Sequence, residues 1–254
     1  LRNTSVGLAG LALVALSVTG VSAFVRVSST GQPEAYEASS ATKDLVVLVH
    51  GLGRTPFSMM PLEWALEEEG YEVLNWGYSS TCCTVSSLAE QLGDDLRART
   101  ASGNRRVHFV GHSLGNIIVR SLISERPPFG LGRVVMLAPP NQGARAAGRY
   151  EPFVGWLLTP LEELSSQEPS AVIKLPLPPM VEVGVIAGQH DGKVTVDETH
   201  LAGERDHAVV PSAHTFIMTR VDVQRLVTSF LEFGTFAPRS PISPSSMTGS
   251  PTPG

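Results

Sequence analysis

The chain alternates short uncharged runs with segments whose apolar residues recur at helical spacing. Residues 44–50 (D-L-V-V-L-V-H) hold five apolar residues in a row between Asp44 and His50, the signature of a strand buried on both faces. A helical pattern follows over 61–69, with Leu62, Trp64, Ala65 and Leu66 apolar and an acidic end. Residues 71–76 read as a strand. In 86–99, Leu88, Leu92 and Leu96 fall at four-residue steps and predict an amphipathic helix. Further strands are predicted over 107–110, 132–138, 181–187 and 208–211, a helix over 114–124 and a closing helix over 221–233. Strands that alternate with helices in this way imply a mostly parallel sheet of about six strands, with helices on both faces.

Three segments break the rhythm. Residues 6–25 carry no charge and are long enough to span a bilayer. Arg2 before them and Val21-Ser22-Ala23 near their end also suit a signal peptide, so 1–25 reads either as a cleaved signal or as a retained membrane anchor. Residues 26–43 are polar and read as a tether, and 236–254, rich in Pro and Ser, as a disordered tail. Residues 139–180 are longer than an ordinary connection and mix Phe153, Trp156, Leu157 and Leu161 with prolines and acids. They read as an insertion, either an extra helix on the core or a lid over a site. The folded domain is then 44–235.

Composition narrows the function. With 254 residues and 42% hydrophobic content, the chain can build one full core. A net charge of −5 and no basic block argue against a nucleic-acid partner. The only cysteines, Cys82 and Cys83, are adjacent; neighbouring residues rarely reach disulfide geometry, so a free pair is expected and the redox compartment stays open.

The chemistry-bearing stretch is 107–118, where a strand, G-H-S-L-G and a helix follow one another. G-x-S-x-G between strand and helix is the nucleophile-elbow pattern: a strained turn lifts the Ser113 hydroxyl above the sheet edge. Gly111 and Gly115 let strand and helix approach without a Cβ between them. A structural serine in an ordinary turn is the bland alternative. A serine hydroxyl needs a base and an acid that orients it. Of seven histidines, His214 follows the last short strand and precedes the closing helix, on the rim where loops after parallel strands gather. Asp191 follows the strand at 181–187 in H-D-G-K-V, with Asp197, Glu198 and Asp206 as rivals. His108 is expected to pack within its strand, and His112 to point away from the serine. His50-Gly51-Leu52-Gly53 ends the first strand, where backbone N–H groups of Leu52 and Leu114 can form an oxyanion hole; a plain glycine turn is the alternative. No phosphate-binding G-x-x-x-x-G-K-[ST] is present. His190, Asp191, His200 and His207 could be grouped as metal ligands, but no H-E-x-x-H helix accompanies them, so neither metal nor cofactor is expected.

V-L-V-H-G-L-G (47–53), V-G-H-S-L-G (110–115), L-A-P-P-N-Q-G (137–143), H-D-G-K-V (190–194) and H-T-F-I-M (214–218), in that order, resemble the lipase/esterase branch of the α/β-hydrolase superfamily. The likeness covers about 44–235 and is nearest to compact bacterial-type serine hydrolases, including relatives of the GPI-inositol deacylase group. It implies an eight-stranded type of sheet; this chain lacks convincing first two strands before Asp44, so a six-stranded version is expected. The expected activity is hydrolysis of a carboxylic ester of a hydrophobic acyl or lipid substrate by Ser113, His214 and Asp191. Membrane association would run through 6–25. An amidase or acyltransferase on the same residues, and a non-catalytic binding protein with this fold, are the alternatives.

Overall fold

The computed structural model describes residues 25–27, 33–35, 43–100, 105–142 and 177–236. Residues 6–24 of the apolar run, most of the insertion (143–176) and the tail from 237 lie outside the described residues. The chain divides into two compact units, 1–42 and 43–254. In the first, β1 (Val25–Val27) and β2 (Pro33–Ala35) pair antiparallel as a separate two-stranded sheet within the stretch read as a tether.

The second unit is built on six strands: β3 (Leu45–Val49), β4 (Glu72–Trp76), β5 (Val107–His112), β6 (Leu131–Leu137), β7 (Val183–Gly188) and β8 (Asp206–Val210). Their order is β4-β3-β5-β6-β7-β8, and every pairing is parallel. Five helices accompany them among the described residues: α1 (Met60–Glu68), α2 (Val85–Thr100), α3 (Leu114–Glu125), the single-turn α4 (Val196–Thr199) and α5 (Val221–Phe233). None is long and apolar enough to cross a membrane.

Side-chain alternation along the strands divides the core in two. Leu45, Val47, Val49, Phe109, Val134, Met136 and Val185 face one side, where they meet Leu88, Leu92 and Leu96 of α2 and Ile118 and Leu122 of α3. Val46, Leu48, Val110, Val135, Leu137 and Ile186 face the other, against Leu62 and Leu66 of α1 and Val223, Val227 and Phe230 of α5. A strand covered on both faces is largely apolar, which is why β3 reads as an unbroken hydrophobic run and β7 carries only apolar residues and glycine, while β5 admits two buried histidines.

Three local features differ from the sequence reading. Phe236 is buried against Phe230 and its N–H donates to Asp206 Oδ2 (2.7 Å), so the packed domain reaches 236. Cys82 and Cys83 are joined in a disulfide rather than free. They lie in a tight turn closed by Cys82 N–H donating to Ser79 O (3.4 Å), whereas in an extended segment neighbouring side chains point apart. A 3-10 helix, His214–Thr219, stands between β8 and α5 where the sequence pattern shows only a loop.

The chain reverses direction across the sheet at β3: β4 lies on one side of it and β5 on the other. Loops leaving the C-terminal ends of β3 and β5 therefore diverge, which opens a crevice at the switch point, the place where open parallel sheets bind ligands. β5 also slips against β6 between Val107 and Phe109. There the Arg133 N–H donates to Nδ1 of the fully buried His108 (2.9 Å).

Burial holds the pKa of His108 down at about 4 against the partial pull of Asp44, and that of His112 at about 3. Unfolded histidines protonate near pH 6.5. Between these values the unfolded chain binds more protons than the folded one, so the stability from these neutral rings is present above pH 6.5 and is lost on acidification. Urea unfolding followed from pH 7 to pH 4.5 is expected to show a loss on the order of 2 kcal/mol per ring. A His108→Gln variant should lose correspondingly less over the same range.

Candidate active site

The C-terminal ends of the strands line up, with Val49 opposite Gly111, His112 opposite Leu137, Leu137 opposite Ile186 and Gly188 opposite Val210. The loops that follow β3, β5, β7 and β8 therefore open on one rim, and His50-Gly51-Leu52-Gly53, Ser113, Asp191 and His214 stand just beyond the strand ends there.

The elbow is a consequence of close packing. Ser113 adopts φ 52°, ψ −117°, a conformation that L residues seldom take, and caps α3. A Cβ on Gly115 would lie 2.1 Å from Val49 O, and one on Gly111 would lie 2.4 Å from Asn116 Oδ1. α3 can sit this close to β3, and to the end of β5, only because these two positions are glycine. The elbow is pinned to β6 through Leu137 O, which accepts from Ser113 N–H (3.0 Å) and from Asn116 Nδ2 (3.1 Å).

Ser113, His214 and Asp191 meet. His214 Nε2 is 3.0 Å from Ser113 Oγ, and His214 Nδ1 is 2.6 Å from Asp191 Oδ2. The carboxylate accepts at Nδ1, so the ring carries its proton there and turns the Nε2 lone pair toward the serine hydroxyl. The second oxygen of Asp191 accepts from the N–H groups of Lys193 (2.7 Å) and Val194 (2.9 Å), which fixes the carboxylate plane. The Asp191 loop is drawn to the His214 loop because pairing continues past the strands, with Gln189 N–H donating to Val210 O and His190 N–H to Ser212 O. All three side chains are buried, Asp191 being 1% exposed at its side chain. Of the rival acids, Asp197 is exposed on α4 and the other two are engaged elsewhere. Glu198 forms a capping box with Thr195 at the start of α4, and Asp206 accepts from the N–H groups of His207 and Phe236.

The loop after β3 forms the opposite wall. Gly53 has φ 65°, which closes a turn in which Arg54 N–H donates to Gly51 O (3.2 Å). Gly53 N–H donates to Ser80 Oγ (2.8 Å). With those two amides engaged, Leu52 N–H is the loop's candidate oxyanion donor. Leu114 N–H opens α3, where the first amides have no acceptor within the helix and the helix dipole is positive. Gly51 has no room for a side chain, since a Cβ there would lie 2.8 Å from His112 Nδ1.

Some residues with a part in this geometry were not assigned one from the sequence. His112, expected to point away from Ser113, donates from Nε2 to the backbone carbonyl of His214 (2.9 Å). Burial, helped by the neighbouring His214, keeps its ring neutral. Tyr78 donates its hydroxyl to His50 O (2.6 Å), and its ring stacks on His50 on one side and Trp76 on the other. His50 in turn donates from Nδ1 to Gly51 O (2.9 Å). The only sequence signal for either was proximity to a motif, because both act on backbone atoms of loops far away in the chain. Arg54 adds a third such brace, Nη2 donating to Thr215 O (3.2 Å).

Of the four residues considered together as metal ligands, Asp191 is committed to His214, while His200 and His207 come together with Glu204.

The comparisons with known proteins agree with this architecture. No curated protein matches the chain in sequence. Among solved structures, a lipase-esterase related protein from Clostridium acetobutylicum superposes with TM-score 0.52 at 13% identity, covering 76% of this chain and 96% of its own. The mature form of Bacillus licheniformis lipase BlEst2 gives 0.56 at 19%, covering 77% and 93%. A structure from work on carboxylesterases of the thaumarchaeon Nitrososphaera gargenis gives 0.54 at 15%, covering 88% and 98%. These likenesses are of fold. The model of the alpha/beta hydrolase family matches residues 46–237, which take in all six strands but for Leu45, and the chain belongs to that family.

Proposed function

We propose that the protein is a serine hydrolase that cleaves carboxylic esters with a hydrophobic acyl part. The observation that carries this reading is the bridge made by His214, 3.0 Å from Ser113 Oγ on one side and 2.6 Å from Asp191 on the other. Ser113 Oγ attacks the acyl carbonyl while His214 Nε2 takes its proton. The developing oxyanion is met by the N–H groups of Leu52 and Leu114. The protonated ring, held against Asp191, gives its proton to the leaving alcohol, and an acyl-serine remains. Water, activated by the same nitrogen, then releases the acid and restores Ser113.

An apolar substrate is supported by exposed Phe216, two residues beyond His214, and exposed Phe57, in the 3-10 turn (Pro56–Ser58) after the Leu52 loop. The names of similar structures, which include a lipase and carboxylesterases, point the same way. Residues 139–180 would supply a lid or acyl-pocket wall. Residues 6–25 would direct the chain into or across a membrane, giving a secreted, periplasmic or anchored enzyme. The Cys82–Cys83 disulfide suits such a compartment. Amide hydrolysis and acyl transfer would use the same three side chains, so anilides and alcohol acceptors belong in the same assays.

A fluorophosphonate probe is expected to label the wild type at Ser113 and not to label a Ser113→Ala variant. Labelling that survives the substitution, or a folded wild type that never labels, would sink the proposal. Asp191→Asn should lower kcat on p-nitrophenyl esters about 10³- to 10⁴-fold while leaving far-UV circular dichroism unchanged, because the ring loses the partner that fixes its tautomer. The acyl-chain length giving the highest kcat/KM on those esters separates lipase from short-chain esterase.

Tyr78→Phe removes only the hydroxyl that holds His50 O. It should lower kcat several-fold with little change in KM and cost about 1 kcal/mol of stability, measured by urea unfolding.

A further inference from the structure

The connection from β7 to β8 holds a second cluster of donors that the hydrolytic chemistry does not use. His200, just after α4, Glu204 and His207 on β8 each bring one nitrogen or oxygen within 4.8 Å of the others. The two imidazole rings stack with centroids 4.0 Å apart and planes 21° from parallel. His200 Nδ1 lies 2.6 Å from Glu204 Oε1, and Glu204 Oε2 accepts from Leu201 N–H (2.9 Å), so the carboxylate is anchored from its own loop.

The state of His207 is fixed from outside the cluster. Thr199, fully buried, donates its single hydroxyl proton to Val196 O (2.6 Å). It can then only accept at its 3.0 Å contact with His207 Nε2. His207 is therefore held with its proton on Nε2 and its lone pair on Nδ1. Metal-ligating histidines are oriented in this way, one nitrogen tied by a hydrogen bond so that the other is presented as a ligand. Two imidazoles and one carboxylate make a borderline donor set that suits zinc; calcium and magnesium take mainly oxygen.

We infer that His200, Glu204 and His207 bind a zinc-class divalent cation, with water completing the coordination on the exposed side of His200. On binding, the exposed His200 ring turns out of the stack, because parallel rings cannot both aim in-plane lone pairs at one ion, and Nδ1 exchanges its proton for the cation while the ring stays neutral with a proton on Nε2. The 2.6 Å gap between them widens to about 3.3 Å, the edge of a tetrahedron with bonds near 2.05 Å. The cation would clamp the connection that also carries Asp191. It would secure as well the segment leaving β6, where Asn141 Nδ2 donates to Thr199 O (2.7 Å), Gln142 N–H to Glu198 O (3.0 Å) and Gln142 Nε2 to His200 O (2.9 Å). The site is independent of whether Ser113 is a nucleophile.

Isothermal titration of the chelator-treated full chain with zinc chloride tests the assignment. One equivalent is expected to bind, with a rise in Tm at saturation. His200→Ala, at an exposed position that does not threaten folding, and Glu204→Gln should each weaken binding at least tenfold. His207→Gln should do the same in a sample whose circular dichroism matches the wild type. His214→Ala should leave binding unchanged, which separates this cluster from the imidazole–carboxylate pair at Ser113. Absence of zinc binding, binding that survives His200→Ala and Glu204→Gln, loss of binding in His214→Ala alone, or equal affinity for calcium would overturn the inference.

Discussion

The approach of α3 to the end of β3 is the constraint on which the site depends. With Gly115 so near Val49 O that no Cβ fits, the chain has no room for a relaxed turn between β5 and α3. Ser113 absorbs the difference in a left-handed backbone conformation. Strain of this kind costs on the order of 1–3 kcal/mol and persists only where surrounding structure enforces it. Here the enforcement comes from Leu137 O, which takes hydrogen bonds from both the Ser113 amide and Asn116, and from the buried apolar faces of β5 and α3. The return is a hydroxyl raised above the rim, next to the first unsatisfied amides of a helix.

The remaining functional groups sit on loops, and loops need to be held. Side chains that grip backbone carbonyls do much of the holding. His112 takes the carbonyl of His214, Arg54 that of Thr215 and Tyr78 that of His50. Each bond joins segments far apart in sequence and acts on a main-chain atom of the gripped residue. His112 is suited to this task because burial keeps it uncharged. A protonated ring there would face His214 at a centroid distance of 4.9 Å and oppose the charge that His214 would acquire in the proposed proton transfer.

Much of the fold was legible in the pattern of the chain. Strands buried on both faces leave unbroken apolar runs, and helices with one buried face leave four-residue steps, so β3, α2 and α5 stand out at once. Short or half-exposed elements are less distinct. In β8 only Val210 is buried, so its strand begins two residues before the pattern suggests. The 3-10 turn that begins at His214 has no pattern of its own, because it is shaped by the packing of Ile217 and Met218 into the core. The disulfide between Cys82 and Cys83 ran against the general rule for adjacent cysteines, and only the turn that contains them shows why.

What the sequence determined by itself was the set of local geometries: which residues form strands, where a serine must be strained between glycines, and that His214 and Asp191 follow strand ends. Those are set by neighbours within a few positions. Which partners meet across the rim was decided by the tertiary structure alone. The pairing of Asp191 rather than Asp197, Glu198 or Asp206 with His214, the bond from His112 to the His214 carbonyl and the gathering of His200, Glu204 and His207 all depend on strand register and loop reach. No local pattern encodes either, because both are properties of the assembled sheet.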